Sequence, residues 1–139
     1  MRDFMAVTKA LADETRVRLL LSLQKKDVCL CQLIAMVRLA PSTVSKHMAI
    51  LKGARLAESR KEGRWIYYRL PGDDAPAMVQ QAIQWASRSL NSDRRIVDDR
   101  TRLKEILEID PSELCDRRTR SPAASGKGRT TKPKCGGLR

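Results

Sequence analysis

A mainly α-helical domain carrying one small β-hairpin is the fold class that this sequence predicts, and three observations predict it. Apolar residues recur every three or four positions through most of the chain up to Ile109. One stretch, Leu56 to Leu70, instead alternates or carries β-favouring residues around a Lys-Glu-Gly-Arg turn. Just before it, two short helical patterns flank Arg38-Leu39-Ala40-Pro41, and the second is polar at its start. Two short helices joined by a tight turn and followed by a hairpin make a winged helix-turn-helix, whose second helix suits the major groove of DNA.

The elements follow in order. Phe4, Val7 and Leu11 share a helical face, and Ala12-Asp13-Glu14 restarts the chain with Asp13 as N-cap. Val17, Leu20, Leu21 and Leu23 give the second helix a broad apolar face, which Lys25-Lys26-Asp27 ends. A third helix covers Leu30 to Val37, with Leu30, Leu33, Ile34 and Val37 on one side. Ser42 is the expected N-cap of a fourth helix running to Lys52. Its buried stripe is Val44, Met48 and Leu51, and its wet face holds Ser42, Thr43, Lys46 and His47.

In the hairpin, Leu56 to Arg60 and Trp65 to Leu70 are the strands and Lys61-Glu62-Gly63-Arg64 is the turn. Trp65, Tyr67 and Tyr68 can pack on the helices, while Arg60, Lys61 and Arg64 crowd the tip as a basic wing. Pro71-Gly72-Asp73-Asp74 is a linker. From Pro76 to Leu90, Val79, Ile83, Ala86 and Leu90 form an apolar seam that the rest of the chain cannot fully cover, which predicts a homodimer through terminal helices. A helix from Asp93 to Ile109 follows, and Pro111 to Cys115 adds one more turn at most. The expected organisation is a winged-helix dimer domain over 1–90 and a helical extension over 91–116. A basic tail over 117–139, rich in Ser, Gly, Lys, Arg and Pro, is expected to be disordered.

The net charge of +12 points to a polyanionic partner, and double-stranded DNA is the commonest. From Pro111 on, eight Lys or Arg stand against two acids, leaving twenty against fourteen before it, so each part carries +6. The start of the chain lacks the apolar core of a signal peptide, and runs such as Leu19-Leu20-Leu21 are too short to span a bilayer. A cytoplasmic protein with no membrane partner is expected, and its four cysteines are then expected to be thiols instead of structural disulfides.

Four motifs stand in register: Asp13-Glu14-Thr15-Arg16-Val17-Arg18-Leu19-Leu20, Val28-Cys29-Leu30-Cys31-Gln32-Leu33, Ser42 through Leu51, and Arg60 through Leu70. Together they resemble the arsenic-responsive (ArsR-type) repressors, from about Phe4 to Leu90. The resemblance implies a homodimeric repressor that leaves its operator when a metal or metalloid binds. It also implies that Cys29 and Cys31, near the start of the third helix, are effector ligands. Two departures stand out. Ile34 replaces a third cysteine common in that branch, and Arg55 replaces a glycine that usually ends the recognition helix.

Thiolates select soft or thiophilic ions, and As(III) or Sb(III) is the expected effector ion, with no resident cofactor. Residues two apart point about 200° around a helix, so regular helix would send the Cys29 and Cys31 sulfurs to opposite sides. In extended backbone both lie on one face. Chelation is therefore expected to need the first turn of the third helix to be absent or unwound, which would tilt the recognition helix. Trivalent arsenic favours three sulfurs and zinc or cadmium four ligands. Cys115 could supply the third by folding back, or be a bystander, and Cys135 is expected to be one.

The DNA contacts expected are Ser42, Thr43, Ser45, Lys46 and His47 on the recognition helix, and Arg60, Lys61 and Arg64 on the wing. A zinc sensor with ligands on the helix Pro76 to Leu90 is disfavoured, because that helix has no His, Asp or Glu. An enzyme is disfavoured too: there is one His and no glycine-rich phosphate loop. Open alternatives are a thiol-redox repressor, with Cys29 bonded to Cys31 or to Cys115, and a repressor answering Cd, Pb or Zn. A dimeric DNA-binding protein with no effector is a third.

Overall fold

The computed structural model describes residues 1–120. Helices α1 (Arg2–Leu11) and α2 (Glu14–Ser22) lead into strand β1 (Val28–Cys29), then helices α3 (Leu30–Val37) and α4 (Pro41–Gly53). Strands β2 (Glu58–Glu62) and β3 (Trp65–Arg69) come next, followed by helices α5 (Ala77–Leu90), α6 (Arg94–Leu107) and α7 (Pro111–Arg120). The architecture is the expected mainly α winged helix-turn-helix. Among the described residues, no helix is long and apolar enough to cross a membrane.

Local chemistry sets most boundaries. The Asp13 side chain accepts from the Arg16 N–H, and Asp93 does the same for Arg95 and Ile96 at the start of α6, so both aspartates cap their helices. At α4 the cap is Ala40 and not Ser42. Pro41 occupies the first helical position, where its fixed φ and missing N–H cost nothing, so the helix starts two residues earlier than expected. Arg38 ends α3 and Arg55 follows α4, both in the left-handed region with φ of 58° and 63°. The Leu56 N–H bonds the Leu51 carbonyl across that second turn.

The hairpin is tighter than predicted. Glu62 pairs with Trp65, leaving Gly63-Arg64 as the loop, and Gly63 takes a φ of 57° that a side chain would disfavour. A third strand joins it: β1 pairs with β3, giving the antiparallel order β1-β3-β2. Two residues are too few to show alternation, so no sequence pattern announces this strand.

The core lies between α1, α2, α3, α4 and the inner face of β3, and Leu19, Leu20, Leu33, Met36, Met48 and Leu51 are fully buried in it. The C-terminal extension is part of this body. Leu103 and Ile106 of α6 enter the main core, and Ile96 packs with Leu21 and Ala86. Asp99 of α6 takes two hydrogen bonds from Arg18 of α2, at 2.7 and 2.8 Å. Arg102 donates to the carbonyl of Met36 near the end of α3 at 2.9 Å. Helix α7 is longer than the single turn expected and runs to Arg120, so residues 117–120 are helical where disorder was expected. The rest of the expected tail, with Cys135, lies outside the described residues.

Candidate functional site

Cys29 closes β1 and is also the N-cap of α3, with extended backbone at φ −69° and ψ 144°. Its Sγ accepts from the Gln32 N–H, and Gln32 Oε1 accepts from the Cys29 N–H at 2.8 Å, a reciprocal capping box. Cys31 follows inside the first turn. The strand-to-helix junction thus settles the geometric conflict of the Cys-x-Cys spacing: Cys29 already lies outside the helix, and no unwinding is needed to free it.

Both cysteines are fully buried and share one small cluster with Trp65, Tyr67 and Cys115. Helix α7 folds back across α3 to bring Cys115 there. Cys31 and Cys115 are joined as a disulfide, with their Cα atoms 6.4 Å apart across a sequence separation of 84. This corrects the expectation of four separate thiols, since nothing local in the chain reports that these two meet. Among the described residues, no group of three His, Cys, Asp or Glu is placed to hold a metal ion. Reduction would leave three sulfurs converging from β1, α3 and α7.

The outer face of β3 roofs this cluster. Along the strand, Ile66 and Tyr68 turn to the core while Trp65 and Tyr67 turn to the sulfurs. The Tyr67 hydroxyl is held above its ordinary pKa, first by burial and then by the negative charge of Cys29 and Glu62. Gln32, Trp65 and Tyr67 were not foreseen as part of the site. The pattern Cys29-x-x-Gln32 was the available signal for the first, as a cysteine variant of the capping box.

The recognition-helix residues divide. Ser42, Thr43 and Lys46 are exposed at the start of α4. Ser45, expected among the DNA contacts, is instead buried at 8% exposure, so the buried arc of α4 is wider than the Val44–Met48–Leu51 stripe. His47 is half-buried, its Nδ1 3.5 Å from Arg16 Nη1. Arg16 itself bonds the Ala10 and Lys9 carbonyls at the end of α1, so His47 marks where the reader helix leans on the α1–α2 corner.

On the wing, Lys61 and Arg64 are exposed, and Arg64 stacks 4.6 Å above the Trp65 ring. Arg60 lies 5.1 Å over the Tyr67 ring and pairs with Asp27 at 2.9 Å and Glu62 at 3.4 Å. Phe4, Met5 and Trp85 remain exposed on α1 and α5, while Val79 and Ala86 of the α5 seam are covered within the chain.

Residues 13–59 match the family model described as bacterial regulatory protein, arsR family. The chain is 35% identical over 82 residues to a cadmium resistance transcriptional regulatory protein CadC homolog of Staphylococcus aureus, covering 58% of this chain and 67% of that protein. It is 33% identical over 101 residues to the arsenic resistance transcriptional regulator ArsR2 of Pseudomonas putida, covering 72% of this chain and 85% of that protein. The structure of HlyU from Vibrio cholerae matches with a TM-score of 0.57 at 25% identity, over 66% of this chain and 95% of that one.

Proposed function

Since the chain belongs to the arsR family of bacterial regulatory proteins, and so to DNA-binding transcriptional regulators and not enzymes, we propose that it is a repressor released by trivalent arsenic or antimony. It binds operator DNA as a homodimer and lets go when the ion bonds Cys29, Cys31 and Cys115. The observation that carries this reading is the convergence of three sulfurs from β1, α3 and α7 in one buried cluster. Three thiolates match the pyramidal preference of trivalent arsenic, whereas zinc favours four ligands. The arsenic resistance regulator among the relatives supports the choice, and the cadmium resistance regulator keeps other soft ions as competitors in the test.

The chemistry balances simply. The Cys31–Cys115 bond takes up two electrons and two protons from a cellular dithiol, giving two thiols. Arsenious acid then condenses with three thiols, losing its three hydroxyls as three waters. Bonding draws the start of α3 and α7 towards one atom, and α3 is the support on which α4 rests. Coupling of about 1–3 kcal/mol would weaken operator binding roughly 5- to 150-fold. Exposed Phe4, Met5 and Trp85 supply apolar surface for a dimer through α1 and α5.

The Cys31–Cys115 bond specifically favours a second reading, a repressor that senses oxidants through that pair. Two titrations of the DNA complex separate them, for wild type and each single Cys→Ser: arsenite, antimonite, cadmium and zinc under a strong non-thiol reductant, and peroxide on pre-reduced protein with the reductant removed. Release by arsenite that is lost in all three variants supports the metalloid sensor. Release only by peroxide, lost in Cys31→Ser and Cys115→Ser but kept in Cys29→Ser, supports the redox sensor. No release by any of them would sink both.

A further inference from the structure

The wing is built into the thiol site. In the three-stranded sheet, Cys29 on β1 stands opposite Tyr67 on β3, and Tyr67 stands opposite Arg60 on β2. The three residues form one lateral row. Tyr67 faces the sulfur cluster, and its ring carries the Arg60 guanidinium. Arg60 also pairs with Asp27, two residues before Cys29 at the entry to β1. A basic side chain expected to grip DNA is thus fastened to the segment that holds a sensor sulfur.

We infer that the row Cys29–Tyr67–Arg60 carries the effector signal to DNA through the wing, beside the route through α4. The inference rests on the thiol-sensor reading above. Tyr67 is a positioning residue, and Arg60 is the cation it withholds or releases. An ion that draws three sulfurs to common bond lengths has to shift Cys29. Cys29 is locked in the β1–β3 ladder, so the shift passes to the Tyr67 ring. The hairpin turns in only two residues, Gly63 and Arg64, and moves as a unit. Arg60 is held on Tyr67, Asp27 and Glu62 by contacts that are individually weak at an exposed site. A small displacement of the ring therefore decides where Arg60 goes: with sulfurs drawn together, as in the Cys31–Cys115 bond here, it stays on the sheet, and with the thiols apart it reaches a phosphate.

The test uses full-length protein under non-thiol reductant, in a Trp85→Phe background whose dimerisation and DNA affinity are first matched to the parent chain, so that Trp65, packed on the cluster, reports arsenite binding by its fluorescence. DNA affinity is measured across a range of salt with and without saturating arsenite. Each phosphate contact contributes about 0.9 to the slope of log K against log salt. The wild-type slope is expected to fall by about 0.9 per subunit when arsenite binds. Arg60→Gln should show the lower slope in both states, and Tyr67→Leu should give equal slopes with a Trp65 response retained; both should be released several-fold less than wild type. Tyr67→Phe, which keeps the ring, should behave as wild type.

Full release and an unaltered slope change in Arg60→Gln and Tyr67→Leu would overturn the relay while leaving the sensor reading intact. No release of wild type and no Trp65 response with arsenite would overturn both. Arg60 is exposed on the surface, so Arg60→Gln decides the matter by itself should Tyr67→Leu fail to fold.

Discussion

Asp99→Ala should destabilise the fold by about 2–3 kcal/mol and loosen the third sulfur from the site. Asp99 is 6% exposed at its side chain and faces Arg18 at 19%. Its two oxygens accept from Arg18 Nε and Nη2 at 2.7 and 2.8 Å, a bidentate charge-assisted pair between α2 and α6. Removing one partner of a fully buried pair costs about 3–5 kcal/mol, because the other charge is left unpaired. Arg18 retains a path to water, which brings the cost to about 2–3 kcal/mol. For a chain of this length that lowers Tm by about 5–10 °C.

Scanning calorimetry under reductant measures the shift, and the replacement Arg18→Met/Asp99→Leu should recover most of it, since an apolar pair of similar volume avoids the desolvation cost. The functional consequence follows from chain order: α6 leads directly into α7, which carries Cys115. Arsenite affinity of Asp99→Ala should fall towards that of Cys115→Ser. A loss below about 0.5 kcal/mol would show that the pair does not hold α6 in place. A destabilised variant that binds arsenite like wild type would show that α6 docking does not deliver Cys115.

Three further outcomes are expected. Arg55→Gly should stabilise the protein by up to about 1 kcal/mol, because a left-handed backbone costs a side-chain-bearing residue about 1–2 kcal/mol and glycine gives back part of that in unfolded-state entropy; chemical denaturation measures it, and a loss of stability would refute the strain. Asp13→Ala should cost about 1 kcal/mol as a lost N-cap. Hydrogen bonding from the Arg16 N–H holds the Asp13 carboxyl below its ordinary range, so its contribution is full above the unfolded value near pH 4 and fades as the pH drops through the folded value; melting curves of wild type and variant should converge in acid. Lys46→Ala should weaken DNA binding and reduce its salt slope by about 0.9 per subunit, while Ser45→Ala, a buried site, should leave the slope unaltered.

Short-range signals account for what was readable in advance. Asp13 and Asp93 cap their helices because a side-chain oxygen reaches an N–H two or three residues on, and that distance is written in the sequence itself. The bounds of α3 and the Val44–Met48–Leu51 stripe follow from helical period, and the hairpin from Gly63 between two β-favouring runs. The family signature lies within this same local information, as did the choice of Cys29 and Cys31.

Tertiary structure decided the rest. A two-residue strand has no period to detect, so only its pairing with Tyr67 and Tyr68 reveals β1 and ties the wing to the cysteine cluster. Ser45 is buried beside the Val44–Met48–Leu51 stripe, which the single-helix pattern does not record. Cys115 reaches Cys31 because Asp99 and Arg102 dock α6 on α2 and α3 and α7 then folds back. Those bonds join residues 81 and 66 positions apart. The sequence alone offered the candidate ligands and the candidate DNA contacts. The packing of distant helices determined which of them meet, because contact between remote segments depends on how whole elements dock and leaves no trace in local spacing.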